Sequence, residues 1–84
     1  MPLIEWDPIA REFLRKLPKD VAKRIFKKVD EEVVKDIPRY LETLVGIEGY
    51  KIRIGHFRLF VDYSPKDGRL IVRSVRHRKN AYKF

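Results

Sequence analysis

The pattern of apolar and polar positions divides the chain into a helical part and a strand part that meet near Gly49. Between residues 8 and 37, apolar side chains recur every four positions, the spacing of helices that bury one face. Pro18 separates two such stripes, which consist of Ile9, Phe13 and Leu17, and of Val21, Ile25, Val29, Val33 and Ile37. The pattern predicts an antiparallel helix pair, over residues 8–17 and from Pro18 to a point before Pro38.

Start and stop signals support these boundaries. Asp7 and Pro8 are residue types favoured at the N-cap and at the first helical position, so the first helix is expected to begin at Pro8. The apolar residues 3–6 that precede them are a candidate first strand. Residues 38–49 form a connection that contains two glycines, and a short helical turn is expected around residues 39–43.

After Gly49 the period changes to two, which is the period of a strand. Tyr50, Ile52 and Ile54 alternate with Lys51 and Arg53. Apolar and basic side chains therefore point to opposite faces of a sheet. We expect the apolar set to meet the helices and the basic pair to face outward.

Two turns divide the rest of this region into a three-stranded meander. Gly55 and His56 form the first turn, and residues 64–68, Ser-Pro-Lys-Asp-Gly, form the second. The strands that follow these turns cover residues 57–63 and 70–75. The predicted fold is α+β with the order β-α-α-β-β-β, an antiparallel sheet and a two-helix hairpin packed on one face. Both alternating sets of positions on the last strand contain apolar residues, so the pattern does not decide which set faces the core.

Length and composition limit the class of protein. Eighty-four residues are enough for one domain with a modest core, here taken as residues 1–84. The chain has no cysteine, which excludes disulfides and thiolate metal sites. It has no apolar run long enough to span a membrane and no signal-peptide pattern, so a cytoplasmic location is expected.

The net charge of +8 arises entirely in the last 35 residues. The first 49 residues contain equal numbers of acidic and basic side chains. From residue 50 onward, ten basic residues face only Asp62 and Asp67; the ten are Lys51, Arg53, Arg58, Lys66, Arg69, Arg73, Arg76, Arg78, Lys79 and Lys83. A one-sided concentration of cations is typical of a surface that binds a polyanion, and nucleic acid is the leading partner.

Strand alternation predicts which cations lie together. Lys51, Arg53 and Arg58 are expected to share the outward face of a hairpin, with Phe60 among them. An aromatic ring between cations can stack on a base of single-stranded nucleic acid. The segment from Arg76 onward is expected to fold over the same face. The alternative to a nucleic-acid-binding face is a basic surface that is only solvated and has no partner.

Two segments of this half resemble the RelE/ParE superfamily of toxins. Residues 49–61, GYKIRIGHFRLFV, are similar to the family's G-Y-x-(I/L)-(K/R)-x-G-x-(Y/F)-R-(L/V) segment. Residues 75–82, VRHRKNAY, are similar to its V-(G)-(H/K)-R-x-x-x-Y ending. The predicted element order is also that of the family. The chain departs from the pattern at His56, where many relatives carry an acidic residue, and at Arg76, where glycine is common.

The resemblance implies the toxin of a type II toxin–antitoxin pair. The RelE branch cleaves messenger RNA in the ribosomal A site, and a small RelB-like antitoxin, expected to be acidic in its binding segment, silences it. Carried over by motif, the catalytic residues are Lys51, Arg53, Arg58, Arg78 and Tyr82. The RNA-binding residues are expected to be Phe60, Arg76, His77 and Lys79.

These residue types limit the chemistry. Arginine stays protonated under ordinary conditions, so Arg58 and Arg78 are expected to stabilise charge on a phosphate. The general base is then Tyr82 or Lys51, and Arg53 or His77 assists the departing oxygen. No metal or organic cofactor is implied, and the expected partners are the ribosome, messenger RNA and the antitoxin, with no membrane. Two alternatives remain, a ParE-type non-catalytic inhibitor of DNA gyrase and a small nucleic-acid-binding accessory protein.

Overall fold

A sheet with a helical layer on one face organises residues 3–78, the part of the chain that the computed structural model describes. Along the chain the elements are β1 (Leu3–Trp6), α1 (Pro8–Arg15), α2 (Lys19–Glu31), a 3-10 turn (Val33–Lys35), α3 (Ile37–Tyr40), β2 (Glu42–Thr43), β3 (Tyr50–Ile54), β4 (Phe57–Ser64) and β5 (Arg69–His77). Within this range the sheet has five strands in the order β1-β5-β4-β3-β2. The predicted α+β class and the antiparallel meander of β3, β4 and β5 are confirmed.

The sheet is mixed, which corrects the expectation of a purely antiparallel one. β1 pairs with β5 in parallel, with Leu3 opposite Arg69 and Trp6 opposite Val72. Strand direction depends on how the intervening elements return the chain to the sheet, and alternation along one strand carries no information about it. The two-residue strand β2 was also not predicted, because two residues cannot display a period.

The second helix is shorter than its apolar stripe. It ends at Glu31 and does not continue to Pro38, yet Val33 and Ile37 are buried. A strict four-residue spacing drifts by about 40° at each step around an α-helix, which has 3.6 residues per turn. One straight helix therefore cannot aim all five positions of the stripe at one core. The 3-10 turn and α3 reorient the chain so that its last two apolar side chains face inward.

A β-bulge explains why the face of the last strand could not be read from its pattern. Phe60 lies opposite Ser74 and Val61 lies opposite Val72, so Arg73 is an extra residue on β5. The bulge shifts the alternation by one position. Leu70, Val72 and Val75 are all buried for this reason, although a regular strand would turn Val75 to the opposite face from the other two. The core lies between this inward face and the helices.

Ion pairs connect the start of the chain to β5. α1 begins at Pro8 as predicted, but Asp7 makes no side-chain capping hydrogen bond. Its carboxylate accepts a hydrogen bond from Arg73 Nη1 at 3.1 Å, and Asp62 accepts one from Arg73 Nε at 2.6 Å. These bonds raise the pKa of Arg73 and hold the bulge against the junction of β1 and α1. No helix in the described range is long and apolar enough to cross a membrane.

Candidate nucleic-acid interface

The sheet face opposite the helices carries two cross-strand rows of side chains. In the first row, Arg58 lies between Arg53 on β3 and Arg76 on β5. In the second row, Phe60 lies between Lys51 and Ser74. We call these six residues the cation face: Lys51, Arg53, Arg58, Phe60, Ser74 and Arg76. The grouping of Lys51, Arg53, Arg58 and Phe60 follows the alternation read from the sequence, and the register adds Arg76 to them.

The arginine row is unfavourable in isolation. Like charges directly opposite one another on neighbouring strands destabilise a sheet by a few tenths to about 1 kcal/mol for each pair. Arg58 takes part in two such pairs. An anion bound across the row would offset this repulsion, because each guanidinium presents several N–H donors to it.

Arg58 is the most unusual member of the row. Its side chain is buried, with the residue only 4 % exposed. Nη1 donates to the carbonyl oxygen of Phe57 at 3.2 Å, while Nε has no hydrogen-bond partner. Among residues 3–78, no carboxylate forms an ion pair with it. Buried charges are ordinarily paired, so an unpaired guanidinium on this face is a ready anion-binding group.

A carboxylate lies beside the cations, and sequence reasoning missed it. Glu42 on β2 pairs in register with Lys51, and one of its oxygens is 3.1 Å from Arg53 Nε. The sequence placed residue 42 in a connection because the pattern does not reveal strand β2. Placing Glu42 beside the cations requires knowledge that residue 42 pairs with residue 51, and this pairing is visible only in the tertiary structure.

Two of the ten basic residues that support the charge argument lie elsewhere and have acidic partners. Arg73 binds Asp62 and Asp7, as described above. Arg69 donates two hydrogen bonds to Glu5, at 3.1 and 2.9 Å. This pairing lowers the pKa of Glu5 below its ordinary value. The charge asymmetry of the sequence thus overstates the cations available to a polyanion, since part of it stabilises the fold.

At the end of β5, the two neighbouring candidates His77 and Arg78 lie in different surroundings. His77 lies opposite Phe57 on the inward face, with their rings edge to face at 5.4 Å. The His56 ring stacks beside it at 6.3 Å. Arg78 follows β5, and its backbone N–H donates to the carbonyl oxygen of His56 at 2.6 Å. Arg78 therefore lies beside the β3–β4 turn, near the end of the arginine row. The role assigned to His77 at the cation face stays a prediction.

Two further candidates, Lys79 and Tyr82, lie outside the described residues. Their predicted contributions to RNA binding and catalysis stay predictions. The described part of the candidate catalytic set is therefore Lys51, Arg53 and Arg58 on the cation face, with Arg78 at its end.

Comparison with known families identifies the class of protein. A family model described as the ParE toxin of the type II toxin–antitoxin system parDE matches residues 4–82. The match spans nearly the whole chain, and the chain belongs to this toxin family. The resemblance to the RelE/ParE superfamily is thereby confirmed. A search among curated protein sequences finds no significant match.

Solved structures of RelE toxins share the fold. The RelBE2 toxin–antitoxin complex of Mycobacterium tuberculosis contains a chain with a TM-score of 0.84 and 20% identity, covering 93% of this chain and 100% of that one. The isolated RelE toxin of E. coli matches with a TM-score of 0.70 and 28% identity, covering 92% of this chain and 84% of that one. The archaeal RelE–RelB complex of Pyrococcus horikoshii matches with a TM-score of 0.70 and 20% identity, covering 95% and 98%. The chain thus has the RelE-like fold of type II toxins.

Proposed function

We propose that the chain is a ribosome-dependent endoribonuclease of RelE type, which cleaves messenger RNA in the ribosomal A site and so inhibits translation. The observation that carries the proposal is the arginine row, at whose centre the buried Arg58 has an Nε with no hydrogen-bond partner among the described residues. A row of this kind suits the charge that develops on a phosphate during cleavage. The 28% identity to E. coli RelE supports the same branch of the family.

Cleavage proceeds by attack of the RNA 2′-hydroxyl on the adjacent phosphorus. The 2′-oxygen loses its proton as its bond to phosphorus forms, the bond from phosphorus to the 5′-oxygen breaks, and that oxygen takes up a proton. The products are a 2′,3′-cyclic phosphate and a free 5′-hydroxyl. Arg58 and Arg76 stabilise the negative charge of the transition state, because preorganised donors in a partly buried site act there without reorganising.

Three groups are candidates for the base in this scheme. Tyr82 and Lys51 follow from the sequence motif, and Glu42 joins them because its carboxylate lies among the cations. A carboxylate oxygen is a proton acceptor, which is what a general base requires. Arg53 then has two roles, since it forms an ion pair with the Glu42 carboxylate and also lies on the cation face, where the phosphate would bind.

A groove between α1 and α2 suits the expected antitoxin. Its volume is about 580 Å³, and Leu17 and Phe26 contribute apolar surface. Arg15, Lys19 and Lys23 lie along the same groove. Such a site favours an acidic, amphipathic segment of a RelB-like partner, because apolar contacts and charge complementarity act together.

Cleavage of messenger RNA on programmed ribosomes tests the proposal. The full chain is added to ribosomes with a defined A-site codon, and the cut is mapped by primer extension. Arg58→Ala is expected to lower the cleavage rate about 10²- to 10³-fold, the usual cost of removing one charge-stabilising donor. Lys66→Ala is the matched control, because it removes one exposed cation in the β4–β5 turn, and we expect it to retain the rate. Absence of cleavage by the unmodified chain would refute the nuclease proposal.

The pH dependence of the rate separates the base candidates. If Glu42 is the base, Glu42→Gln lowers the maximum rate and changes the shape of the pH–rate profile. If Tyr82 is the base, Tyr82→Phe lowers the maximum rate and changes the pH–rate profile, while Glu42→Gln leaves the profile unchanged. Unaltered profiles in both variants and in Lys51→Ala would exclude all three groups.

The match to the ParE family model favours a second candidate, a non-catalytic inhibitor of DNA gyrase. A binder needs no proton acceptor, so it tolerates Glu42→Gln and Tyr82→Phe. Inhibition of DNA supercoiling by purified gyrase, with intact messenger RNA on programmed ribosomes, would support this candidate over the nuclease.

A further inference from the structure

The β-bulge in β5 decides which side chain stands opposite Arg58. In an antiparallel pair, each step back along one strand is a step forward along the other. The register that β4 and β5 have before the bulge would therefore place Val75 opposite Arg58 if it continued unbroken. The extra residue Arg73 shifts the register by one position, and Arg76 takes that place instead.

The two registers differ in what they bury. Residues directly opposite each other on neighbouring strands point to the same face of a sheet. In the bulged register Val75 lies in the core, and Arg76 completes the arginine row. In an unbroken register Val75 would point outward beside Arg58, and Arg76 would point towards the helices. Burial of Val75 favours the bulge, whereas the repulsion between two opposed arginines acts against it.

Arg73 is held at the bulge by two carboxylates, one from each side of β5. Asp62 on β4 accepts a hydrogen bond from Nε at 2.6 Å, and Asp7, at the junction of β1 and α1, accepts one from Nη1 at 3.1 Å. In the sheet, β5 lies between β1 and β4. We call Arg73, Asp62 and Asp7 the bulge clamp, because together they fix the extra residue against both neighbours of its strand.

The bulge clamp borders the cation face. Asp62 and Arg73 line one cavity together with Lys51, Arg58 and Ser74. Two carboxylates already offset the charge of Arg73, so it is a poor anion ligand in comparison with Arg58. Bulges recur next to active sites, where they change the direction of a side chain. The position of this bulge, three residues before Arg76, suits that use.

We propose that Arg73 is a positioning residue for the anion site: held by Asp62 and Asp7, it fixes the bulge that sets Arg76 opposite Arg58. The inference rests on the proposed function for the identity of the anion, a phosphate of RNA. Ion pairs that stabilise the fold thus also set the geometry of the arginine row. Their removal changes the row even though none of the three residues belongs to it.

Inorganic phosphate tests the inference without requiring cleavage. It is titrated into the full chain, and the apparent Kd is taken from the rise in Tm. Asp62→Asn removes a negative charge beside the cation face, so Coulomb attraction alone would tighten phosphate binding, whereas loss of positioning weakens it. Losing all hydrogen bonds from one guanidinium weakens anion binding about 10- to 150-fold. For an Arg76 that is present but displaced, we expect binding about 3- to 10-fold weaker.

The sign of this change decides the outcome. Unchanged or tighter phosphate binding in Asp62→Asn would overturn the inference. Absence of phosphate binding by the original chain would overturn it as well, because no anion site would then exist for Arg73 to position.

Two more variants separate positioning from a general loss of stability. Asp7→Asn removes the other carboxylate of the bulge clamp and is expected to weaken phosphate binding in the same way. The Asp7 side chain makes no capping hydrogen bond, so α1 keeps its start. Glu5→Gln is the matched control, because Glu5 binds Arg69 on β5 before the bulge. It is expected to lower Tm and retain phosphate affinity, and equal weakening in this variant would refute the positioning role.

Amide hydrogen exchange locates the structural change. Local opening shows as faster exchange in the segment that has lost its contacts. In Asp62→Asn we expect faster exchange at residues 74–77, and in Glu5→Gln at residues 69–72. Unchanged protection of residues 74–77 in Asp62→Asn would contradict a role of the clamp at the bulge.

The same variants on programmed ribosomes keep the two proposals separate. Asp62→Asn is expected to lower kcat about 3- to 10-fold with a smaller change in KM, because the arginine row acts on the transition state. Glu5→Gln is expected to retain both. Weaker phosphate binding in Asp62→Asn, from a chain that cuts no messenger RNA, refutes the nuclease proposal and leaves the positioning role intact. Cleavage by Asp62→Asn at the original kcat, with unchanged phosphate binding, refutes the positioning role and leaves the nuclease proposal intact.

Discussion

Replacing Arg58 by methionine is expected to stabilise the fold while lowering the cleavage rate about 10²- to 10³-fold. Within residues 3–78, the buried Arg58 makes one side-chain hydrogen bond, from Nη1 to the Phe57 carbonyl oxygen, and its Nε has no partner. Arg53 and Arg76 lie directly opposite it on the two neighbouring strands. Methionine retains an unbranched apolar stem of similar length and removes the charge.

The magnitude follows from these contacts. An unpaired buried polar group costs about 1–3 kcal/mol, and each like-charged cross-strand pair adds a few tenths to about 1 kcal/mol. Arg58→Met loses one hydrogen bond, worth about 0.5–1.5 kcal/mol. Together these ranges span about 0 to 4.5 kcal/mol, and the expected net gain in the free energy of unfolding is their centre, about 2 kcal/mol. One kcal/mol corresponds to a rise in Tm of about 4–8 °C for a domain of this size.

Thermal and urea unfolding of the full chain, followed by circular dichroism, measure this gain. Inorganic phosphate is expected to raise the Tm of the original chain, because it binds the folded state, and to have less effect on Arg58→Met. Arg69→Met is the control with the opposite sign, since Arg69 donates two hydrogen bonds to Glu5. Most substitutions destabilise proteins, so the sign is informative. A fall in Tm for Arg58→Met comparable to that of Arg69→Met would refute the view that Arg58 is kept for anion binding.

Two further predictions concern the fold. Because Arg69 lowers the pKa of Glu5, this pair adds stability above the ordinary pKa of a glutamate, and the stability is lost as pH falls through the lowered value. Glu5→Gln should therefore reduce Tm at pH 7 and flatten its decrease in acid, and an unchanged acid dependence would contradict this reading. Gly49→Ala is expected to cost more stability than Gly46→Ala in urea unfolding, because only the former adds a Cβ near the Val61 carbonyl oxygen, and equal costs would exclude that contact as the cause.

The position of the cations illustrates how far alternation can be used. On β3 and β4 the period of two predicts the shared face of Lys51, Arg53 and Arg58, because both strands are regular there. On β5 the bulge at Arg73 resets the alternation. A local pattern cannot reveal such a bulge, because its position depends on how β5 packs and on the ion pairs of Arg73 with Asp7 and Asp62.

Glu42 was missed for a related reason. A strand of two residues is too short to display a period, and its pairing with β3 depends on where α3 ends and how the loop over residues 44–48 returns the chain. The end of α2 was also not predicted correctly from the local pattern. The stripe from Val21 to Ile37 identified four buried positions, with Val21 partly buried, whereas Ile9 of the first stripe is exposed. The break after Glu31 reflects the geometry of the whole core.

The amino-acid sequence alone indicates the helical and strand halves, the α+β class, the toxin superfamily and the outward face of β3 and β4. These properties depend on local periodicity and short motifs, which act over a few neighbouring residues. The folded chain is needed to see the parallel pairing of β1, the row of Arg53, Arg58 and Arg76, and the contact between Glu42 and Arg53. Each of these joins segments far apart in the chain, and their register is set by packing and turn geometry that no single segment contains.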